Sequence, residues 1–256
     1  MSLDLNSKYV IIGNYGNDTL ALIQWALEQP LAQVSVLSVD TGWSAPDWHK
    51  HVEQCEEWVR KKSYEAVRLQ SIPFAELIKQ RGHFPTPKFQ WCANVLKGIP
   101  ILTWLDQHDP STSYCLLLAH RRSSTRSKQA IPAKIPASES FGERTVHHPL
   151  IEMTSSERNA LLARAGFSPL PHRSLECNPC INSNCFDLSL LSPQEIERLS
   201  TLELELGKTM FAHLGENKSG TFPINSLKTA EKSKNLIEPA DVLENMGCGE
   251  PYGCGI

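Results

Sequence analysis

Lys8-Tyr9-Val10-Ile11-Ile12-Gly13-Asn14-Tyr15-Gly16-Asn17-Asp18-Thr19 is a short apolar, β-branched run that breaks into a polar turn, and Leu20-Ala21-Leu22-Ile23-Gln24-Trp25-Ala26-Leu27 follows it with helical spacing. Strand, turn and helix in direct succession point a helix N-terminus and several backbone N–H groups into the turn, where an anion can be held. Asn14, Gly16, Asn17, Asp18 and Thr19 are therefore candidate phosphate or nucleotide contacts. The turn has neither the full dinucleotide glycine pattern nor the closing Gly-Lys-Ser/Thr of a Walker loop. An ordinary strand-to-helix turn is the competing reading.

Outward from this stretch the pattern repeats. Residues 34–39 form a second apolar strand, closed by Asp40-Thr41-Gly42, and Pro46 opens an amphipathic helix through residue 61 with Trp48, Val52, Cys55 and Val59 on related faces. A strand ending in an acid fits a ligand site at the carboxyl edge of a parallel sheet, or simple exposure, so Asp40 is a further candidate. A third strand is expected over 64–69 and a helix over 72–80. The loop 81–88, with two prolines and a glycine, delivers Gln90, Trp91 and Cys92 to a defined place, and a helix from 95 to 104 should be interrupted around Pro100. Lys88 and Lys97 are candidate phosphate contacts or members of a solvated face. After a strand over 113–119 comes His120-Arg121-Arg122, whose guanidinium forks suit phosphate or sulfate, or RNA at a basic surface loop. Residues 130–143 read as a mobile excursion, His147 and His148 as loop or core-edge residues, and 154–165 and 191–206 as capped helices. The stretch 215–234 reads as an irregular connection. A short helix over 238–246 leads to a glycine-rich tail carrying Cys248 and Cys254.

Glu176-Cys177-Asn178-Pro179-Cys180-Ile181-Asn182-Ser183-Asn184-Cys185-Phe186 concentrates three thiols. The Cys-x-x-Cys gap lets both sulfurs reach one metal or one cluster corner; a redox dithiol and incidental buried cysteines are the alternatives. All-sulfur centres usually take four thiolates, and for a further ligand the chain offers Cys92 upstream and Cys248 and Cys254 at the tail. Spacing does not separate zinc from iron–sulfur. Cys185 is expected as the fourth ligand because it is fixed close to the pair, whereas a tail thiol would require ordering a bendable segment.

Composition sets the boundaries. The 256 residues suffice for one large domain with a sizeable core, and 41% hydrophobic with 21% charged residues excludes a disordered or fibrous chain. A net charge of -3 argues against an extensive nonspecific nucleic-acid surface. There is no apolar run near the length of a membrane span and no signal-peptide pattern at the start, so a cytoplasmic protein is expected. Eight cysteines are too sparse for a disulfide-stapled mini-domain and favour metal or reactive-thiol roles.

The order of these features, from Tyr9 to Asn184, resembles the phosphoadenosine phosphosulfate (PAPS) reductase-like family within the adenine-nucleotide α-hydrolase-like superfamily. The resemblance is to the cluster-bearing branch that also contains DNA-phosphorothioation relatives. The family's first loop, approximately Ser-Gly-Gly-Lys-Asp-Ser, corresponds to Asn14 to Thr19, with Tyr15 at a glycine and Asn17 at the lysine. Asp40-Thr41-Gly42 is intact. Trp91-Cys92-Ala93-Asn94-Val95-Leu96-Lys97 looks like the Trp-Cys-Thr-x-x-Leu-Lys stretch. Arg121 and Arg122 keep the arginine pair of Gly-x-Arg-Arg-x-Glu-Ser, while Ser124 replaces its acid. His148-Pro149-Leu150 and Cys177-Asn178-Pro179-Cys180 match two later stretches, and Cys254-Gly255-Ile256 looks like the tail that carries a reductive thiol.

The resemblance implies a fold, a cofactor, a ligand, an activity and partners for this chain. The fold is α/β, a doubly wound, mostly parallel sheet with a smaller, mostly helical C-terminal segment, divided as 1–170 and 171–256. The cofactor is a [4Fe–4S] cluster, with zinc the lesser alternative, on Cys92, Cys177, Cys180 and Cys185. The ligand is an adenine nucleotide or sulfonucleotide held by the first loop, Asp40, Lys97, Arg121 and Arg122, with poor ATP cleavage because Asn17 brings no charge. The activity is sulfur metabolism or sulfur transfer, with Cys254 and Arg121 catalytic; the alternative is a nonenzymatic module of a nucleic-acid sulfur-modification complex. Expected partners are a thiol reductant, a nucleic-acid-modifying protein and a second copy of the chain in a homodimer.

Overall fold

A computed structural model describes residues 7–122 and 131–211. The expected segment 215–234, the helix over 238–246, and Cys248 and Cys254 lie outside the described residues. Six strands form one sheet in the order β3-β2-β1-β4-β6-β5. β1 (Lys8–Ile12), β2 (Gln33–Asp40), β3 (Glu65–Gln70), β4 (Cys115–Leu118) and β6 (Arg144–His147) run parallel, and β5 (Lys134–Ser138) pairs antiparallel with β6 at the edge. α1 (Asn17–Leu27) and α2 (Trp48–Lys61) connect the first three strands, after which the chain returns to place β4 on the other side of β1. This is a doubly wound α/β sheet, and its topological switch point lies between β1 and β4.

The sheet is covered on both faces, and the period-two alternation of β1 shows how. Tyr9 and Ile11 face a core shared with α1, α2 and α6 (Ser155–Ala165), whereas Val10 and Ile12 face one shared with α5 (Ile99–His108). Such two-sided burial is why central parallel strands read as unbroken apolar runs. The expected interruption near Pro100 is a π turn over Asn94–Gly98 between the single-turn α4 (Trp91–Ala93) and α5, and the helical run continues through Pro100, whose ring and missing N–H are accommodated by the wider turn directly before it.

Of the stretch 130–143, expected as an excursion, the described residues 131–143 instead contribute β5 and a 3-10 turn at Glu139–Phe141. Pro136 is tolerated because the strand is an edge, and the register shifts between Ile135 and Ser138 around it. β6, which carries His147, is a further strand that the sequence reading did not resolve. Its Arg144 is fully buried, donating to Asp109 and to the carbonyls of Leu105, Asp109 and Gly142, so its polarity hides a core position.

The smaller C-terminal region holds α7 (Cys185–Ser189) and α8 (Pro193–Leu206), each opened by a capping box, Asn184 with Asp187 and Ser192 with Glu195. Its Ile181, Leu188, Leu199, Leu202 and Phe211 share a third core with Trp43, Phe74 and Trp91. No helix among the described residues is long and apolar enough to cross a membrane.

Candidate functional site

The carboxyl ends of β1 and β4 put the turn 13–19 beside residues 119–122, at the switch point where open α/β sheets hold ligands. Gly13 is required here: a Cβ on it would lie 2.3 Å from the Thr19 Cγ2. Thr19 in turn donates its hydroxyl to the Asn14 Oδ1 at 3.3 Å, and that oxygen also accepts the Gly16 N–H at 3.0 Å. Asp18 is fully buried, and its Oδ1 accepts from Arg121 Nε at 2.9 Å and from an Arg158 guanidinium nitrogen at 3.3 Å. Burial raises the Asp18 pKa while the two arginines pull it back. Arg121 also donates to the Met153 carbonyl, whereas Arg122 lies half-exposed against Glu152.

Asn17 and Tyr15, where the chain departs from the glycine–lysine pattern, have structural partners. The Asn17 amide donates to Leu170 O at 3.1 Å and accepts from Leu170 N at 2.8 Å, clamping the turn to the segment leading to Cys177. Tyr15 takes a left-handed φ of 58° and sends its ring into the core shared by α1 and α2, where burial raises its phenol pKa. Its ring therefore lies in the core. Beside the turn, His120 and His148 pack at 5.1 Å between ring centroids, and burial, then His148, pushes the His120 pKa down to about 4. Asp40, at the end of β2, accepts the Gly42 N–H at 2.9 Å.

The cysteines occupy a second place. Cys92, at the start of α4, and Cys177 and Cys180, from a loop 85 residues later, line one small cavity of about 30 Å³ with Trp43, Phe74 and Leu96. The loop is pinned to the chain after β2: Ala45 N donates to Leu175 O, Asn178 N to Trp43 O, and the Trp43 indole to Pro179 O. Thr41 donates to Glu176 O at 3.0 Å, and its hydroxyl lies 3.4 Å from the Cys177 sulfur. Lys97, buried on the π turn, pairs with Glu176, tying the Cys92 segment to the Cys177 segment. Cys185 is exposed at the N-terminus of α7 and is not among the residues lining the cavity. Cys55 is buried in α2, its thiol pKa pushed up to about 12 by burial, which makes it inert packing.

Cys177 and Cys180 also line a larger cavity of about 590 Å³, whose other walls include Trp48, His51, His172 and Arg173. They thus stand on the partition between the two spaces. The donor set, three soft thiols amid apolar side chains, suits a metal–thiolate centre. Among the described residues, no three His, Cys, Asp or Glu side chains are grouped so as to hold a single metal ion. Trp43 and Arg198 were missed by sequence reasoning. Arg198 lies 155 residues from Trp43, and neither carries a local motif.

No family model matches the chain, and no curated protein does. Among solved structures, the chain is similar to a PAPS reductase from Candida auris in a phosphate complex (13% identity, TM-score 0.45, 63% of this chain and 74% of that one). It is similar to an NMN synthetase from Francisella tularensis (12%, 0.49, 91% and 88%) and to the U34-tRNA thiolase NcsA from Methanococcus maripaludis with its [4Fe-4S] cluster (12%, 0.48, 95% and 85%).

Proposed function

We propose that the chain is an iron–sulfur protein of sulfur metabolism or sulfur transfer that binds an adenine nucleotide or sulfonucleotide at the switch point. The observation that carries this reading is the meeting of Cys92, Cys177 and Cys180 at one cavity, from segments matching two separate stretches of the PAPS reductase-like pattern. A cluster takes each thiolate at a different iron, and the likeness of the two cysteine stretches to the cluster-bearing branch favours a [4Fe–4S] centre over zinc. Cys92, Cys177 and Cys180 would hold it, and the fourth position falls to Cys185 or to Cys248 or Cys254. When bound, the cluster would supply a polarising, redox-capable centre beside the substrate.

In the reductive form of this activity, the Cys254 thiolate attacks the sulfonate sulfur of the sulfonucleotide. The bond from sulfur to the phosphate oxygen breaks, the nucleotide leaves with the electron pair, and the enzyme keeps a thiosulfonate. An external dithiol then releases sulfite and is itself oxidised to the disulfide. Arg122 would neutralise the anionic substrate, Arg121 and Lys97 would act from behind through their pairs with Asp18 and Glu176, and Asp40 and the first loop would position it. A homodimer and a thiol reductant are the partners this reading requires us to test.

One set of observations favours a second reading, a nonenzymatic nucleotide-binding module of a nucleic-acid sulfur-modification complex. Asn17 is committed to Leu170, and Arg121 to Asp18, so the loop brings no lysine to charge developing on a phosphate. Anaerobic, full-length protein tests both. About four irons and four sulfides per chain, with calorimetric binding of an adenine nucleotide, support the shared core of the two readings. Sulfite release with a dithiol present selects the enzyme. Stoichiometric zinc without sulfide overturns the cluster.

A further inference from the structure

We infer that Arg198 is the electrostatic and positioning residue of the cysteine centre, supplied by α8 from the C-terminal region. This rests on the reading of Cys177 and Cys180 as ligands. Arg198 lies over the Trp43 ring, 4.0 Å from its centroid, and donates to Asn178 O at 2.6 Å, Ser44 O at 3.2 Å and Trp43 O at 3.5 Å. One guanidinium thus joins the chain after β2 to the middle of the Cys177–Cys180 loop. The fork and the flat face are both used, which a lysine cannot reproduce.

Among the described residues, its charge has no bonded counter-ion. All of these hydrogen bonds end on main-chain carbonyls, and no carboxylate forms an ion pair with it among the described residues. The nearby carboxylate, Glu195, is engaged by the Asn178 amide at 2.6 Å and by Ser192 in the capping box of α8. Burial alone disfavours the cation; Glu195 and Cys177 are the neighbours that stabilise it. A net-negative metal–thiolate centre at Cys177 and Cys180 completes this arrangement: the cation balances the thiolate charge, and the carbonyl bonds hold the ligand loop in shape. Groups outside the ligand set that fix ligands and local charge tune both metal affinity and reduction potential.

The test compares Arg198→Gln, which keeps an amide donor and loses the charge, with Arg198→Lys, which keeps the charge and loses the fork. Full-length chain is reconstituted anaerobically, iron and sulfide are counted, and the midpoint potential is measured. In parallel, Cd²⁺ is titrated into metal-free chain and followed by its thiolate charge-transfer absorption. Arg198→Gln is expected to move the reduction equilibrium about tenfold toward the oxidised state, about 59 mV for one electron, and to weaken Cd²⁺ by about tenfold. Arg198→Lys is expected to stay nearer wild type in potential. Trp43→Leu, which removes the ring beneath the guanidinium and keeps the charge, should shift both readouts less and with the same sign, and it serves if Arg198→Gln does not fold. Wild-type potential and Cd²⁺ affinity in Arg198→Gln, or in Trp43→Leu where that stands in, overturn the role of Arg198 while leaving the cluster intact. Absence of both iron–sulfide and Cd²⁺ binding in the wild type overturns the ligand reading itself, and this role with it.

Discussion

The turn after β1 and the loop after Glu176 are both short polar segments at the rim of the same sheet, yet they dispose of their polar groups in opposite ways. In the turn, Asn14, Asn17, Asp18 and Thr19 bond to one another or to buried arginines and main chain, a largely self-bonded knot in which one oxygen, the Asp18 Oδ2, stays buried without a hydrogen bond among the described residues. In the cysteine loop, main-chain groups are pinned by Trp43 and Arg198, while Cys177 and Cys180 stand between two cavities. Rigid backbone with accessible soft donors is the pattern of a site; self-satisfied side chains are the pattern of a scaffold. Under the proposed function, the chemistry is centred on the thiols, and the switch-point turn contributes shape and backbone donors.

The largest effect that would break this contrast is at Asp18. Asp18→Ala leaves Arg121 and Arg158 buried without their carboxylate and is expected to destabilise the fold by about 3–5 kcal/mol. Urea denaturation measures it; a loss under about 1 kcal/mol would mean that the knot is not structural.

Next in size is the pH response of the histidine pair beside the turn. His120 is held near 4, below the ordinary value, so the unfolded chain binds the proton more readily than the folded one. Its contribution is complete above pH about 6.5 and is lost as pH falls toward 4, a decrease of about 2–3 kcal/mol. His120→Gln should flatten that part of the stability profile in thermal melts taken across the window, and an unchanged slope would assign it to other groups.

Asn17→Lys sharpens the comparison more gently. It removes both bonds to Leu170 and is expected to cost about 1–2 kcal/mol, without creating pyrophosphate release from ATP. Turnover gained by this one change would show that the turn is a site lacking only its cation. Smallest is Cys185→Ala, expected to leave stability within about 0.5 kcal/mol because the side chain is exposed. Iron counted in the same variant is expected to fall below about four per chain, and full retention of the cluster would pass the fourth position to Cys248 or Cys254.

Much of the fold was legible in local pattern. The strand-turn-helix at 8–27, the Thr154–Glu157 and Ser192–Glu195 capping boxes and the break before Pro100 each follow from residues a few positions apart. β5 and β6 were not legible, because Pro136 and the buried Arg144 disguise edge and core positions with loop-like residues. In the candidate site, the Cys-x-x-Cys spacing and the Trp91-Cys92 segment could be read directly. Their shared cavity could not, nor could the roles of Asn17 and Tyr15, since a side chain's use depends on which distant segment packs against it.

By itself, the sequence determined the periodicities, the caps and the thiol spacing, all of which are set by interactions within a turn or two of backbone. Only the tertiary structure decided that Arg121 meets Asp18 across 103 positions, that Asn17 holds Leu170 across 153, and that Arg198 reaches Trp43 across 155. Charged and amide side chains are interchangeable in pattern, and burial selects one partner for each because an unpaired polar group in the core costs more than any local preference returns.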